Sequence, residues 1–154
     1  MSTAESRLKK LGVTLPAPPV PVASYVPYTV SGNLVFISGQ IPVLDGALKH
    51  VGKLGADMPL EEGQEAAQLC AINVLAQLKA ACRGDLDRVS RCLKLGVFVN
   101  ATPEYGQHPE VANGASDLIA AVFGESGKHA RAAVGVGSLP RGVAVEVDAI
   151  FEIK

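Results

Sequence analysis

The chain has 154 residues, 48% hydrophobic and 19% charged, with no tryptophan, which is about the size of one domain built on one core. Lysine and arginine number 14 against 15 aspartates and glutamates, a formal net charge of −1, so no overall cationic field exists to hold a phosphate backbone and nucleic acid is a poor first reading. Mean hydropathy is +0.26, yet no apolar run approaches the ~18–20 residues of a bilayer span, so a membrane partner is not expected and the excess belongs in a core or between subunits.

Ser2 and Glu5 stand at capping-box spacing and Gly12 suits a stop, which predicts a short helix over Thr3–Leu11. Pro16, Pro18, Pro19 and Pro21 make the next stretch an extended arm, and they also break the apolar helix that a secretory signal would need. A cytoplasmic protein is expected, with an N-terminal helix and proline-rich arm over residues 1–24 ahead of an α+β domain at 25–154. Tyr28 to Ile37 reads as two strands around Ser31-Gly32-Asn33. Leu34–Ile37 is wholly apolar, which predicts a strand covered on both faces.

Leu44 to Pro59 mixes glycine and proline with polar residues and reads as a loop. Leu69, Ile72, Leu75, Leu78 and Cys82 then recur at three- or four-residue steps, an amphipathic helix between Leu60 and Arg83 ending at Gly84. From Leu86 to Asn100 the period changes to two, with Val89, Arg91, Leu93, Leu95 and Val97 on one parity. Val111–Phe123 forms a second helix, and strands over Ala132–Val136 and Val143–Ile153 close the chain. The order implies an α+β sandwich, a mixed sheet with both long helices on one face. Neither parity of the last strand is plainly solvent-like, which hints at oligomers formed through the sheet.

Several chemistries fail on spacing. Gly135-Val136-Gly137 has no helix directly behind it, and no Gly-Lys-Ser/Thr triplet occurs, so nucleotide phosphate loops are rejected. His50, His108 and His129 read as isolated loop residues, so no metal site is expected. Cys70, Cys82 and Cys92 lack the close pairing of a zinc or redox site and read as buried reduced thiols. Arg131 is more informative. It enters a strand of small apolar neighbours, where its guanidinium either grips a ligand carboxylate through two parallel hydrogen bonds or pairs with an acid of the same sheet. Glu146, in an apolar strand, is either a solvated outward residue or a partly buried carboxyl of raised proton affinity suited to work on water.

Ser38-Gly39-Gln40-Ile41-Pro42 after an apolar strand, Tyr25 ahead of it, and the later Arg131, Leu139-Pro140 and Val145-Glu146-Val147 together resemble the RidA family. This family, also called YjgF, comprises the reactive-intermediate deaminases once labelled L-PSP endoribonucleases. The likeness runs from about Tyr25 to Ile153. It implies a chorismate-mutase-like sandwich and a homotrimer whose sheets form an inner barrel, with a pocket in each cleft between subunits. The implied activity is hydrolysis of enamines and imines such as 2-aminoacrylate to 2-keto acids and ammonia, with no cofactor.

By position, the resemblance gives Arg131 the substrate carboxylate and Glu146 the attacking water, with Tyr25, Ser38 and Asn113 around the substrate. Where the family often has a cysteine this chain has Ala133, so only its backbone could serve and a thiol mechanism is excluded. The arm, the longer Leu44–Pro59 loop and a divergent stretch at His108–Gly114 mark a longer sister branch. Two other functions compete with the deaminase: a non-catalytic trimer that binds a small carboxylate metabolite through Arg131, and a ribonuclease. The last would want a basic, aromatic-lined groove, which this composition does not supply.

Overall fold

The computed structural model describes residues 3–21 and 23–154. Helix α1 spans Ala4–Lys10; strands β1 (Tyr28–Ser31) and β2 (Leu34–Gln40) form a hairpin, as do β3 (Val43–Leu44) and β4 (Ala47–Leu48). Helix α2 (Leu60–Ala81), strand β5 (Val89–Asn100), helix α3 (His108–Phe123) and strands β6 (Ala130–Val136) and β7 (Val145–Ile153) complete the chain. The main sheet has the order β1-β2-β7-β5-β6. Only β5 and β6 run parallel; the other pairs are antiparallel.

Both long helices pack on one face of this sheet. Val35, Ile37, Leu95, Val97, Val147, Ala149 and Phe151 point into that layer against Leu75, Leu78, Ile119 and Val122. Phe151, fully buried, meets Phe123 edge-on with ring centroids 6.0 Å apart, so it ties α3 to the centre of the sheet; truncation to alanine would cost ~3–5 kcal/mol. The two helices meet where Gly114 faces Gln64. A Cβ at Gly114 would collide with the Gln64 backbone carbonyl, so only glycine permits this approach, and Gln64 Nε2 donates to Glu110 O at 2.9 Å beside it.

The α+β sandwich with a mixed sheet and both helices on one face is as the periodicities predict, and all three cysteines are free and buried. Burial pushes the Cys92 thiol up to about 12 and raises Cys70 further from reactivity. Five local readings need correction. The cap of α1 is Thr3 reciprocated by Ser6, rather than Ser2 with Glu5; Ser2 lies outside the described residues. Within one chain Leu34–Ile37 is covered on one face only: Val35 and Ile37 are buried, but Phe36 is 40% exposed on the face without helices. The loop from Leu44 contains the hairpin β3–β4, whose turn residues Asp45 and Gly46 both take positive φ, the geometry a two-residue hairpin turn favours. Leu86–Arg88 is a 3-10 turn, and two irregularities follow it in β5. They break the single parity, so that Cys92 is buried while Arg91 is exposed. His108 opens α3 instead of lying in a loop.

Candidate functional site

Six side chains were expected to converge. Within one chain they form two clusters on opposite faces of the sheet. The separation follows from register: Arg131 pairs with Leu95, which pairs with Ala149, all on the helix-covered face. Glu146 pairs with Phe98, which pairs with Val134, on the other face.

The first cluster lies along β6, the edge strand. The Arg131 Nη1 donates to Asn113 Oδ1 at 2.8 Å and Ser116 Oγ at 3.1 Å, and Nη2 makes a long 3.5 Å contact with Pro109 O. Asn113 and Ser116 can meet one guanidinium because residues three apart share a helix face. No carboxylate pairs with Arg131 among the described residues, so the internal ion pair weighed as its alternative is not formed. Ala133, two residues on, faces the same way and is half-buried against the core. Sequence reading found Asn113 but missed Ser116; the three-residue spacing between them was the available signal.

The second cluster explains the Ser38-Gly39-Gln40 motif. Ser38 Oγ donates to Val26 O at 2.7 Å and its N–H donates to Pro27 O at 2.9 Å, which fixes the segment carrying Tyr25. Gly39 leaves the space that the Glu146 carboxylate fills; a Cβ there would overlap it. Gln40 is buried and donates back to Ser38 O at 3.0 Å across the irregularity in β2. Burial lifts the Glu146 carboxyl above the ordinary carboxylate range, and the charge of Asp148 on the same face lifts it further. Asp148 is itself raised by burial, with partial relief from the Gly96 N–H and Lys94.

Tyr25, Ser38 and Glu146 line one open groove of about 1090 Å³. The proline-rich arm forms its apolar wall, held by the buried Gln77, whose Nε2 donates to Pro19 O at 2.7 Å. Prolines offer no N–H, and Gln77 Oε1 is left without a donor. Arg141, which sequence reading did not select, lines the same groove from a left-handed backbone conformation, φ 61°. Among the described residues no three His, Cys, Asp or Glu side chains group as metal ligands, and no helix is long and apolar enough to cross a membrane.

Residues 5–148 match the family model described as "YjgF/chorismate_mutase-like, putative endoribonuclease". The chain belongs to the YjgF/RidA family. It is 52% identical to Protein TCP17 of Trypanosoma cruzi, over 97% of this chain and 93% of that one. A solved structure of a "putative endoribonuclease" from Shewanella oneidensis superposes with a TM-score of 0.95 at 37% identity, covering 99% of this chain and 100% of the other. At 25% identity, over 92% of this chain and 95% of the relative, it resembles the "2-iminobutanoate/2-iminopropanoate deaminase" of Dermatophagoides farinae. The chorismate-mutase-like description of the family model agrees with the α+β sandwich read from periodicity and with the observed mixed sheet.

Proposed function

We propose that this member of the YjgF/RidA family hydrolyses enamine and imine intermediates to 2-keto acids and ammonia, in a homotrimer where the β6 edge of one copy meets the Glu146 groove of the next. The observation that carries this reading is the state of Arg131. Its Nη1 protons are taken by two neutral groups and Nη2 makes only the long contact with Pro109 O, while Nε–H, with an Nη2–H parallel to it on the same edge of the guanidinium, has no partner among the described residues. Two parallel donors at fixed spacing match a carboxylate. The face without helices supports the assembly: Phe36 and Val134 are 40% and 45% exposed there, an apolar surface suited to another copy.

The chemistry asks little of the protein. The enamine tautomerises to an imine whose carbon is electrophilic. With the substrate carboxylate held on Arg131, Glu146 takes a proton from water as oxygen bonds to that carbon and passes it to the imine nitrogen, giving the tetrahedral carbinolamine. The C–N bond then breaks, its electron pair leaving with nitrogen, while Glu146 takes the hydroxyl proton and delivers it to that nitrogen. Ammonia and the 2-keto acid depart, and Glu146 is again ionised. Raised proton affinity makes Glu146 a stronger base toward water than an ordinary carboxylate, and most of the acceleration comes from orientation.

The test is a coupled assay of 2-keto acid release from enzymatically generated 2-iminopropanoate and 2-iminobutanoate. Acceleration lost on Arg131→Ala is expected. Tight keto acid binding without acceleration would instead identify a carboxylate-binding protein. RNA cleavage that survives Arg131→Ala and copurifies with the chain would favour the ribonuclease.

A further inference from the structure

His129 is tied to the anion-binding arginine through a single hydroxyl. Its Nδ1 lies 2.6 Å from the Gly127 carbonyl oxygen and its Nε2 lies 2.8 Å from Ser116 Oγ, the same oxygen that Arg131 Nη1 reaches at 3.1 Å. A carbonyl oxygen only accepts, so Nδ1 carries the ring proton. In the neutral ring Nε2 is then an acceptor and must take the Ser116 hydroxyl proton. That rotates the lone pairs of Ser116 Oγ toward Arg131. The Gly127 carbonyl is itself fixed, because Gly127 lies against the α3 backbone so closely that a Cβ would collide with Ile119 and Ala120.

We infer that His129 is a positioning residue for Arg131, acting through Ser116 to aim the free Nε–H and Nη2–H edge at the substrate carboxylate. This rests on the carboxylate-binding role proposed for Arg131. With the ring proton on Nδ1 and Nε2 accepting, His129 sets the direction of one hydrogen bond, and that bond together with Asn113 consumes both Nη1 protons. The guanidinium is thereby left a single free edge in a single orientation. Without the acceptor at Nε2 the Ser116 hydroxyl is free to turn, Nη1 loses a fixed partner, and the clamp samples orientations that do not fit a carboxylate.

The experiment measures KM and kcat for the imine substrates and the Kd of 2-oxobutanoate on the full chain. His129→Leu and Ser116→Ala are each expected to raise KM and Kd about tenfold with kcat within about twofold, whereas His129→Gln, which keeps an acceptor near the Nε2 position, restores most of the loss. Unchanged KM and Kd in folded His129→Leu would overturn the inference, as would equal loss in the Gln and Leu variants. Nitrogen-15 spectra of the unmodified protein test it even if the variants do not fold: the Nδ1–H tautomer is expected, and an Nε2–H tautomer would sink it. Should Arg131→Ala leave 2-oxobutanoate binding intact, the proposed role of Arg131 fails instead, an outcome separable from failure of the relay.

Discussion

The edge strand β6 and the pair β2–β7 hold opposite charges in the same unfinished condition. On β6 a guanidinium is fastened by an amide and a hydroxyl, with no acid beside it. On β7 a half-buried carboxyl stands in the notch left by Gly39, with another carboxyl rather than a cation as its charged neighbour. Stability alone would favour bringing these charges together or exposing both. Keeping them on opposite faces leaves each to be completed from outside the chain, the cation by a ligand anion and the carboxyl by a water and a substrate.

The comparison breaks most sharply on mixing variants. Arg131→Ala should cut kcat/KM about a thousandfold, with Arg131→Lys recovering little because an ammonium lacks the parallel donors. Copies carrying Arg131→Ala, unfolded and reassembled with copies carrying Glu146→Gln, should regain up to about a quarter of parental activity if each site draws on two subunits. No recovery in proven mixed assemblies would place both groups in one chain's site.

Glu146→Gln should lower kcat about a hundredfold, and it sharpens the contrast through pH. A carboxyl raised in the folded state binds its proton more tightly there than in the unfolded chain. Its contribution to stability is full below the unfolded value and is lost as pH rises through the folded one. Glu146→Gln should therefore match the parent in thermal melts at acid pH and exceed it at neutral pH. Parental activity should fall as pH drops through the raised value. A variant less stable than the parent at neutral pH would contradict the burial argument.

Gly39→Ala tests the notch. The added Cβ displaces the Glu146 carboxylate, and about a tenfold fall in kcat with little change in keto acid Kd is expected, since the arginine edge is untouched. The smallest effect belongs to the arm. Gln77→Ala removes its hydrogen bond to Pro19 O, and KM should shift about two- to threefold, consistent with ~0.5 kcal/mol, the low end for one neutral hydrogen bond. Unchanged KM would show that the arm wall does not touch the substrate.

Much of this is legible in the residues themselves. Leu75, Leu78 and Cys82 specify the core face of α2 through their spacing, and Ser31-Gly32-Asn33 specifies the first hairpin through its turn chemistry. Asp45-Gly46 carries the same kind of signal for the second hairpin, but two-residue strands show no periodicity to set beside it. The parity of β5 failed at Arg91 and Cys92, where a bulge adds a residue with no mark in the sequence.

Sequence by itself determined the long elements, their order, the family motif and the chemical types at the site, since these depend on local period, backbone stereochemistry and residue identity. Tertiary structure decided which face each group occupies. Arg131 sits in a short strand of alanine, valine and glycine whose alternation names no core side; in β7 Val145, Val147 and Ala149 alternate with Glu146 and Asp148, but Ile150 on the acids' parity blurs that signal. Only the parallel pairing of β6 with β5 assigns the arginine to the helices, and the pairing of β7 with β5 places the glutamate on the opposite face.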